Sequence, residues 1–322
     1  MIGDRMVYDA HAHIHGLLSS VPGGLGGDPP PDTPFATFDE VGLDGCIVCV
    51  VGDPATFGVG TNDTDAVRRQ LAQVRSAAAE ASVEVVDSAD GFDAARSTGR
   101  PALMLGVEGA DCIGTDLDAL ADLRQLGVRL LGLMHYAQNA AGTISMDLRG
   151  VTPGVDGERG LTSFGRQLVG LANELGIIVD VTHAHDETVR DVLDCSTRPV
   201  ICSHTGVRSY QEFARYISDE LAGAIVRGGG LIGMWPCRIG PYGPRTVADF
   251  AEMVAHCAQR YGVGALTLGT DFNGAPAYAD GYRGPVDNAL LIEELSRVGF
   301  HPDELDAVFG ANLLRFLGAY CS

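Results

Sequence analysis

Basic residues are scarce in this chain: 22 Lys+Arg stand against 42 Asp+Glu, for a formal net charge of −20. Nucleic acids and anionic membrane surfaces are bound through basic patches, so this balance argues against both as partners. Long apolar runs are missing too. None approaches the ~20 residues that span a bilayer, and no apolar presequence with a cleavage site is evident. No internal repeat, low-complexity stretch or composition shift divides the chain. One domain over residues 1–322 and a reduced, cytoplasmic setting are the expectations. The oligomeric state is left open, and a homodimer is compatible with the sequence.

The 8 cysteines lie mostly inside or beside apolar runs, where thiols behave as small buried hydrophobes. Cys46 and Cys49 form a C-x-x-C pair, but within a predicted strand residues three apart point to opposite faces. That argues against a redox or zinc pair.

What the chain does have is a series of eight short apolar runs, each ended by a glycine, a turn or a polar residue. They are Met6–Ile14, Gly45–Gly52, Ala102–Gly109, Val128–His135, Gly176–His183, Pro199–His204, Gly230–Pro236 and Ala265–Phe272. Helical patterns separate them, with apolar spacing of three and four at Leu117, Leu120 and Leu123 and at Phe164, Leu168, Leu171 and Leu175. A further short strand and helix fit at 83–96. Strand–helix alternation of this kind predicts a parallel sheet, and eight units predict a closed (β/α)8 barrel. Three longer connections, 16–35, 138–160 and 273–285, follow strands on the C-terminal side, where they would form walls or a lid over a site.

The chemistry lies at the ends of these runs. They deliver His11 and His13, Glu108, His135, His183, His204 and Asp271. A (β/α)8 barrel keeps its active site at the C-terminal ends of its strands, so ligands far apart in sequence would converge. His11 and His13 are two apart on a strand and share a face, which suits one metal. Glu108 stands among apolar residues, a costly position unless paired or metal-bound, and its two oxygens could bridge two ions. His183 and His204 each offer one ligand to a second ion. Asp271 can bind a metal and also act as a base. His135 could stabilise an oxyanion. Asp9, one layer lower on the first strand, reads as a packing group. Arg215 suits carboxylate recognition by chemistry, but by pattern alone it is an ordinary surface arginine.

The motifs Val107-Glu-Gly, Asp180-Val-Thr-His, Ser203-His-Thr-Gly and Gly269-Thr-Asp-Phe-Asn-Gly, in that order, resemble the membrane (renal) dipeptidase family, a branch of the amidohydrolase superfamily. Leu161-Thr-Ser-Phe-Gly-Arg and Ala311-Asn-Leu-Leu-Arg-Phe extend the resemblance over nearly the whole chain. It implies a binuclear zinc hydrolase of dipeptides, tolerant of a D-residue at the second position. It implies that His11, His13 and Asp271 hold one zinc, that Glu108 bridges, and that His183 and His204 hold the other. It also implies that His135 contacts the scissile group and that Arg215 binds the dipeptide's terminal carboxylate. The chain departs from the family at two points: His13 stands where His-x-Asp is usual, and Trp235-Pro236 replaces a polar or aromatic pair. The alternatives are another amide or lactone hydrolase using the same metal pair, and a mononuclear decarboxylase built on His-x-His.

Overall fold

The computed structural model describes residues 5–16, 30–53, 63–146 and 159–320. Nine strands run through it: β1 Tyr8–Ala12, β2 Gly45–Val51, β3 Glu84–Val86, β4 Ala102–Glu108, β5 Val128–Gly132, β6 Ile178–Asp180, β7 Ile201–Thr205, β8 Leu231–Met234 and β9 Leu266–Leu268. All pairings are parallel, in the order β1-β2-β4-β5-β6-β7-β8-β9. The ring closes just beyond β9. Ala12 bridges Phe272 in parallel, Asp271 donates its N–H to the His11 carbonyl at 3.0 Å, and His13 donates to Phe272 at 2.9 Å. Each of the eight barrel strands falls inside one of the eight apolar runs, except that β7 extends one residue past His204, and the fold is the expected (β/α)8 barrel.

The short β3 lies outside the ring. It pairs with Ala102–Met104 of β4, while β5 pairs with the same strand from Leu105 onward. β3 therefore uses the flank of β4 that β5 has not yet reached. Its helix, Ala89–Ser97, completes the extra unit. The other helices match the apolar spacing to within a turn, and Asp63, Ser88, Asp116, Thr162 and Thr246 cap their N-termini through side-chain oxygens. One helix was not expected. Phe35–Thr37 forms a 3-10 turn that runs into Phe38–Val41, burying Phe35 and Phe38. A single turn is too short for a 3.6-residue period to register in sequence.

Two apolar layers result. One lies between strands and helices. The other fills the lower barrel with Ile47, Met104, Leu130 and Ile201 and is plugged from below by Leu313 and Phe316 of the C-terminal helix. With the lower barrel filled, the upper ends of the strands are where polar groups collect. Among the described residues, no helix is long and apolar enough to cross a membrane.

Gly233 and Gly269 are required by close approach. A Cβ at either would penetrate the carbonyl oxygen of Ser203 on β7. By contrast, a Cβ at Gly170, within the helix Ser163–Glu174, would meet nothing. Gly233→Ala is expected to destabilise by about 1–3 kcal/mol or more. Gly170→Ala is expected to be neutral or stabilising by up to about 1 kcal/mol. Denaturant midpoints check both, and equal effects would contradict the packing described.

Candidate metal centre

Every residue singled out at a strand end lies in one cluster. His11 is next to last in β1 and His13 follows its last residue, Glu108 is the last residue of β4, and His204 is next to last in β7. His135, His183 and Asp271 each stand three residues beyond β5, β6 and β9. His183 and Asp271 have left-handed backbones, with φ of 68° and 58°. Such conformations cost a non-glycine residue energy and persist where the surroundings over-determine them. Here they turn the chain so that both side chains face the centre.

Glu108 is that centre. Its Oε1 lies 3.2 Å from His183 Nε2, 3.5 Å from His11 Nε2 and 3.7 Å from His204 Nε2. Its Oε2 lies 3.3 Å from His13 Nε2 and 3.4 Å from His135 Nε2. His13 Nε2 is also 3.2 Å from Asp271 Oδ1 and 3.3 Å from His11 Nε2. Ligand atoms fall into three overlapping groups: His11, Glu108 and His204; His11, His13 and Asp271; and Glu108, His135 and His183. All are buried or nearly so.

The far nitrogens are tied down. His13 Nδ1 sits 2.9 Å from the Cys49 carbonyl, which only accepts, so Nδ1 carries hydrogen and Nε2 faces the centre. Asn273 holds the chain beyond His13 by donating to its carbonyl at 3.0 Å. His135 Nδ1 makes a short contact to buried Asp53, and its ring stacks on Tyr136 at 3.7 Å between centroids. Asp9 accepts from the backbone of Thr270 and His11 and from the Thr270 hydroxyl, joining β1 to the segment that carries Asp271.

This set fits divalent metal. Four imidazoles and two carboxylates are the ligand chemistry of zinc sites. Glu108 Oε2 is buried and has no hydrogen-bond partner, although two imidazole nitrogens face it. A Cβ at Gly274 would strike both the His13 ring and the Asp271 carboxylate, so the chain keeps that wall bare. The charges agree. Burial opposes ionisation of Glu108, but the histidines around it, His135 first and then His11, hold its carboxyl well below the usual range. Burial, with Arg215 and other histidines, holds His183 and His204 well below the usual imidazole range, neutral and ready to ligate. Burial also disfavours the His13 cation, but Asp271 and Glu108 outweigh it and push the imidazole up to about 10. His135 is raised against burial by Glu108 and Asp53.

Arg215 joins the site although its pattern suggests the surface. It is 4% exposed. A guanidinium nitrogen is 3.2 Å from His183 Nε2 and 3.4 Å from the His204 carbonyl, and the group lies 4.8 Å above the Trp235 ring. Among the described residues no carboxylate pairs with it, and its Nε has no partner.

Four residues were missed by sequence reasoning: Asp53 as the partner of His135, Asp180, Ser203 as a contact of two imidazoles, and Thr270. His185 caps the helix Asp186–Cys195, away from the cluster, and Cys46 and Cys49 are free thiols pushed well up by burial. The connection 273–285 packs down, with Tyr278 and Tyr282 buried and Cys237 bridging Tyr278. The other two long connections lie partly outside the described residues.

A family model described as membrane dipeptidase (peptidase family M19) matches residues 48–320. Dipeptidase 3 of Mus musculus is 32% identical over 270 residues, covering 79% of this chain and 52% of the relative. The chain thus spans about half the length of the curated relatives it matches. Two solved structures share the fold. The probable dipeptidase PvdM from Pseudomonas aeruginosa superposes with a TM-score of 0.86 at 17% identity, covering 98% of this chain and 96% of that one. A metallo peptidase from Rhodobacter sphaeroides, liganded with a phosphinate mimic of the dipeptide L-Ala-D-Ala, gives 0.82 at 20% identity, covering 98% and 100%.

Because the His13 imidazole is held protonated at neutral pH, metal must displace a proton to bind it. Zinc titrated calorimetrically at pH 7.5 in buffers of different ionisation enthalpy is expected to release about one proton or more. Below pH ~10 the apparent affinity should rise with pH, by up to about tenfold per unit for each proton released. A heat independent of buffer would contradict this assignment.

Proposed function

The chain belongs to the membrane dipeptidase family, peptidase family M19, and from that membership and the cluster around Glu108 we propose a metallo-dipeptidase that holds two zinc ions. The observation that carries the reading is Glu108 itself. One buried carboxylate presents Oε1 to His183, His204 and His11 and Oε2 to His13, which also contacts Asp271 and His11. A single ion needs no such shared ligand. His11, His13 and Asp271 would hold one ion, His183 and His204 the other, with Glu108 between them. Bound there, the ions supply Lewis acidity and activate water near neutral pH.

The chain's own groups supply the rest. Asp271, turned inward by its left-handed backbone, takes the proton from the attacking water and returns it to the leaving amine. His135, whose cationic form Asp53 favours from the Nδ1 side, donates from Nε2 to the oxyanion that develops on the scissile carbonyl. Arg215 binds the terminal carboxylate of the second residue. The chain has no lysine, so arginine and protonated histidine are its only side-chain cations. The buried, unpaired guanidinium above Trp235 is well suited to a ligand that brings its own anion. Fixing that carboxylate restricts the enzyme to short substrates. The dipeptide mimic in the Rhodobacter sphaeroides structure carries a D-residue at its second position, which supports the same tolerance here.

Zinc-loaded protein is expected to release amine from a panel of L,L- and L,D-dipeptides. Asp271→Asn should lower kcat by about 10²-fold or more. Arg215→Gln should raise KM by about 10–100-fold, the worth of a charge-assisted hydrogen bond, and dipeptide amides should be poorer substrates of the wild type by a similar factor. Zinc-bound protein silent across the panel would sink the dipeptidase reading and favour another amide or lactone substrate.

A further inference from the structure

We propose that Ser203 is a positioning residue that sets the tautomer of two metal-binding imidazoles at once, His11 and His204, under the control of Asp180. The proposal rests on the reading above, in which these two rings serve different ions.

The Ser203 hydroxyl is fully buried and has four polar neighbours: Asp180 Oδ2 at 2.5 Å, His204 Nδ1 at 3.0 Å, His11 Nδ1 at 3.1 Å and the Thr182 hydroxyl at 3.3 Å, whose own proton goes to Asp180 Oδ1 at 2.6 Å. A hydroxyl has one proton to give and two lone pairs to fill. A carboxylate oxygen only accepts, and two oxygens 2.5 Å apart need a hydrogen between them. The Ser203 proton therefore lies on the line to Asp180. Both lone pairs are left for the imidazoles, so each ring carries its hydrogen on Nδ1; the Cys49 thiol, 3.7 Å from His11 Nδ1, is the longer and weaker of that nitrogen's two contacts. That leaves Nε2 of each ring bare, and both Nε2 atoms face Glu108 Oε1. One hydroxyl thus aims two ligands from two strands, β1 and β7.

Asp180 cannot turn away from this role. Its other oxygen, Oδ1, accepts from the Thr182 backbone at 3.0 Å, the Thr182 hydroxyl at 2.6 Å and the Ser203 backbone at 3.1 Å. Three donors fix which oxygen faces Ser203. Asp180 touches none of the ligand atoms. It acts through Ser203.

The arrangement makes an unusual demand on Asp180→Asn. The three donors keep the amide oxygen at the Oδ1 position, so the amide NH2 faces Ser203 and donates to it. Ser203 is then left with one lone pair for two imidazoles, and it gives its proton to one of them, since the Thr182 hydroxyl is the more distant acceptor at 3.3 Å. That ring carries its hydrogen on Nε2 and is disabled as a ligand, while the other is unaffected. Ser203→Ala removes the acceptor from both rings.

The test is zinc affinity by chelator competition on the full chain, together with ¹⁵N-histidine NMR of the zinc-free wild type at pH 8. Support requires two tight zinc ions in the wild type, about one in Asp180→Asn, and affinity lowered about 10–100-fold at both sites in Ser203→Ala. A merely structural role would not separate one site from two. Two undiminished sites in Asp180→Asn, or loss at only one site in Ser203→Ala, would overturn the proposal. The NMR experiment decides it without any variant. Nδ1–H on both His11 and His204 is expected, and Nε2–H on either overturns it. Fewer than two zinc ions in the wild type would instead defeat the two-metal reading, and the tautomers would still decide the role of Ser203.

Discussion

A carboxylate buried at the mouth of a barrel is the constraint on which this structure turns. Removing Glu108 from water without compensation would cost far more than a domain's whole stability margin. The compensation is five imidazole nitrogens between 3.2 and 3.7 Å from its two oxygens. Those rings cannot all carry protons, since like charges so close repel. The protein resolves this by sorting them. His13 and His135 lie beside second carboxylates, Asp271 and Asp53, and are raised, whereas His183 and His204 lie near Arg215 and are lowered.

The barrel makes that sorting geometrically feasible. Its ring is joined between β1 and the segment after β9 by only a few main-chain bonds around Ala12 and Phe272. Those bonds flank His11, His13 and Asp271. Closing the barrel and assembling one half of the centre are therefore one event. Asp9 reinforces the seam from below through Thr270 and the His11 amide. Burial raises this carboxyl to about 6 against those hydrogen bonds.

Much of this was legible in the residues. The strands were readable because each is a continuous apolar run with an abrupt end, and the ligands because a histidine or acid at such an end has few structural uses. What escaped was of two kinds. The helix Phe38–Val41 is too short for periodicity. Asp53, Asp180 and Ser203 escaped because a single acid or hydroxyl carries no periodic mark. Ser203 acquires meaning only when β1, β6 and β7 bring His11 and Asp180 beside it. Arg215 is an intermediate case. Its neighbours in sequence suggest a surface position, and only the family resemblance singled it out before the fold buried it against Trp235.

The substitution at position 13 shows how local wiring decides what a site can hold. An imidazole there donates from Nδ1 to the Cys49 carbonyl while Nε2 faces both Glu108 and Asp271. A carboxylate in its place would turn acceptor oxygens toward that carbonyl and toward two other carboxylates. The β2 main chain is therefore matched to histidine. Exchanging a carboxylate ligand for an imidazole also removes one negative charge from a centre already flanked by Arg215. Were two divalent ions bound, Glu108 and Asp271 would oppose them directly, and Asp53 and Asp180 from behind His135 and Ser203, which would leave the centre far less negative than the chain's net charge of −20 suggests. The acidic exterior does not cancel this, because screening confines surface charge to about 10 Å at ordinary ionic strength. Under the proposed reading, attraction of an anionic substrate would thus be a property of the pocket, set by His13, His135 and Arg215, rather than of the sign of the molecule as a whole.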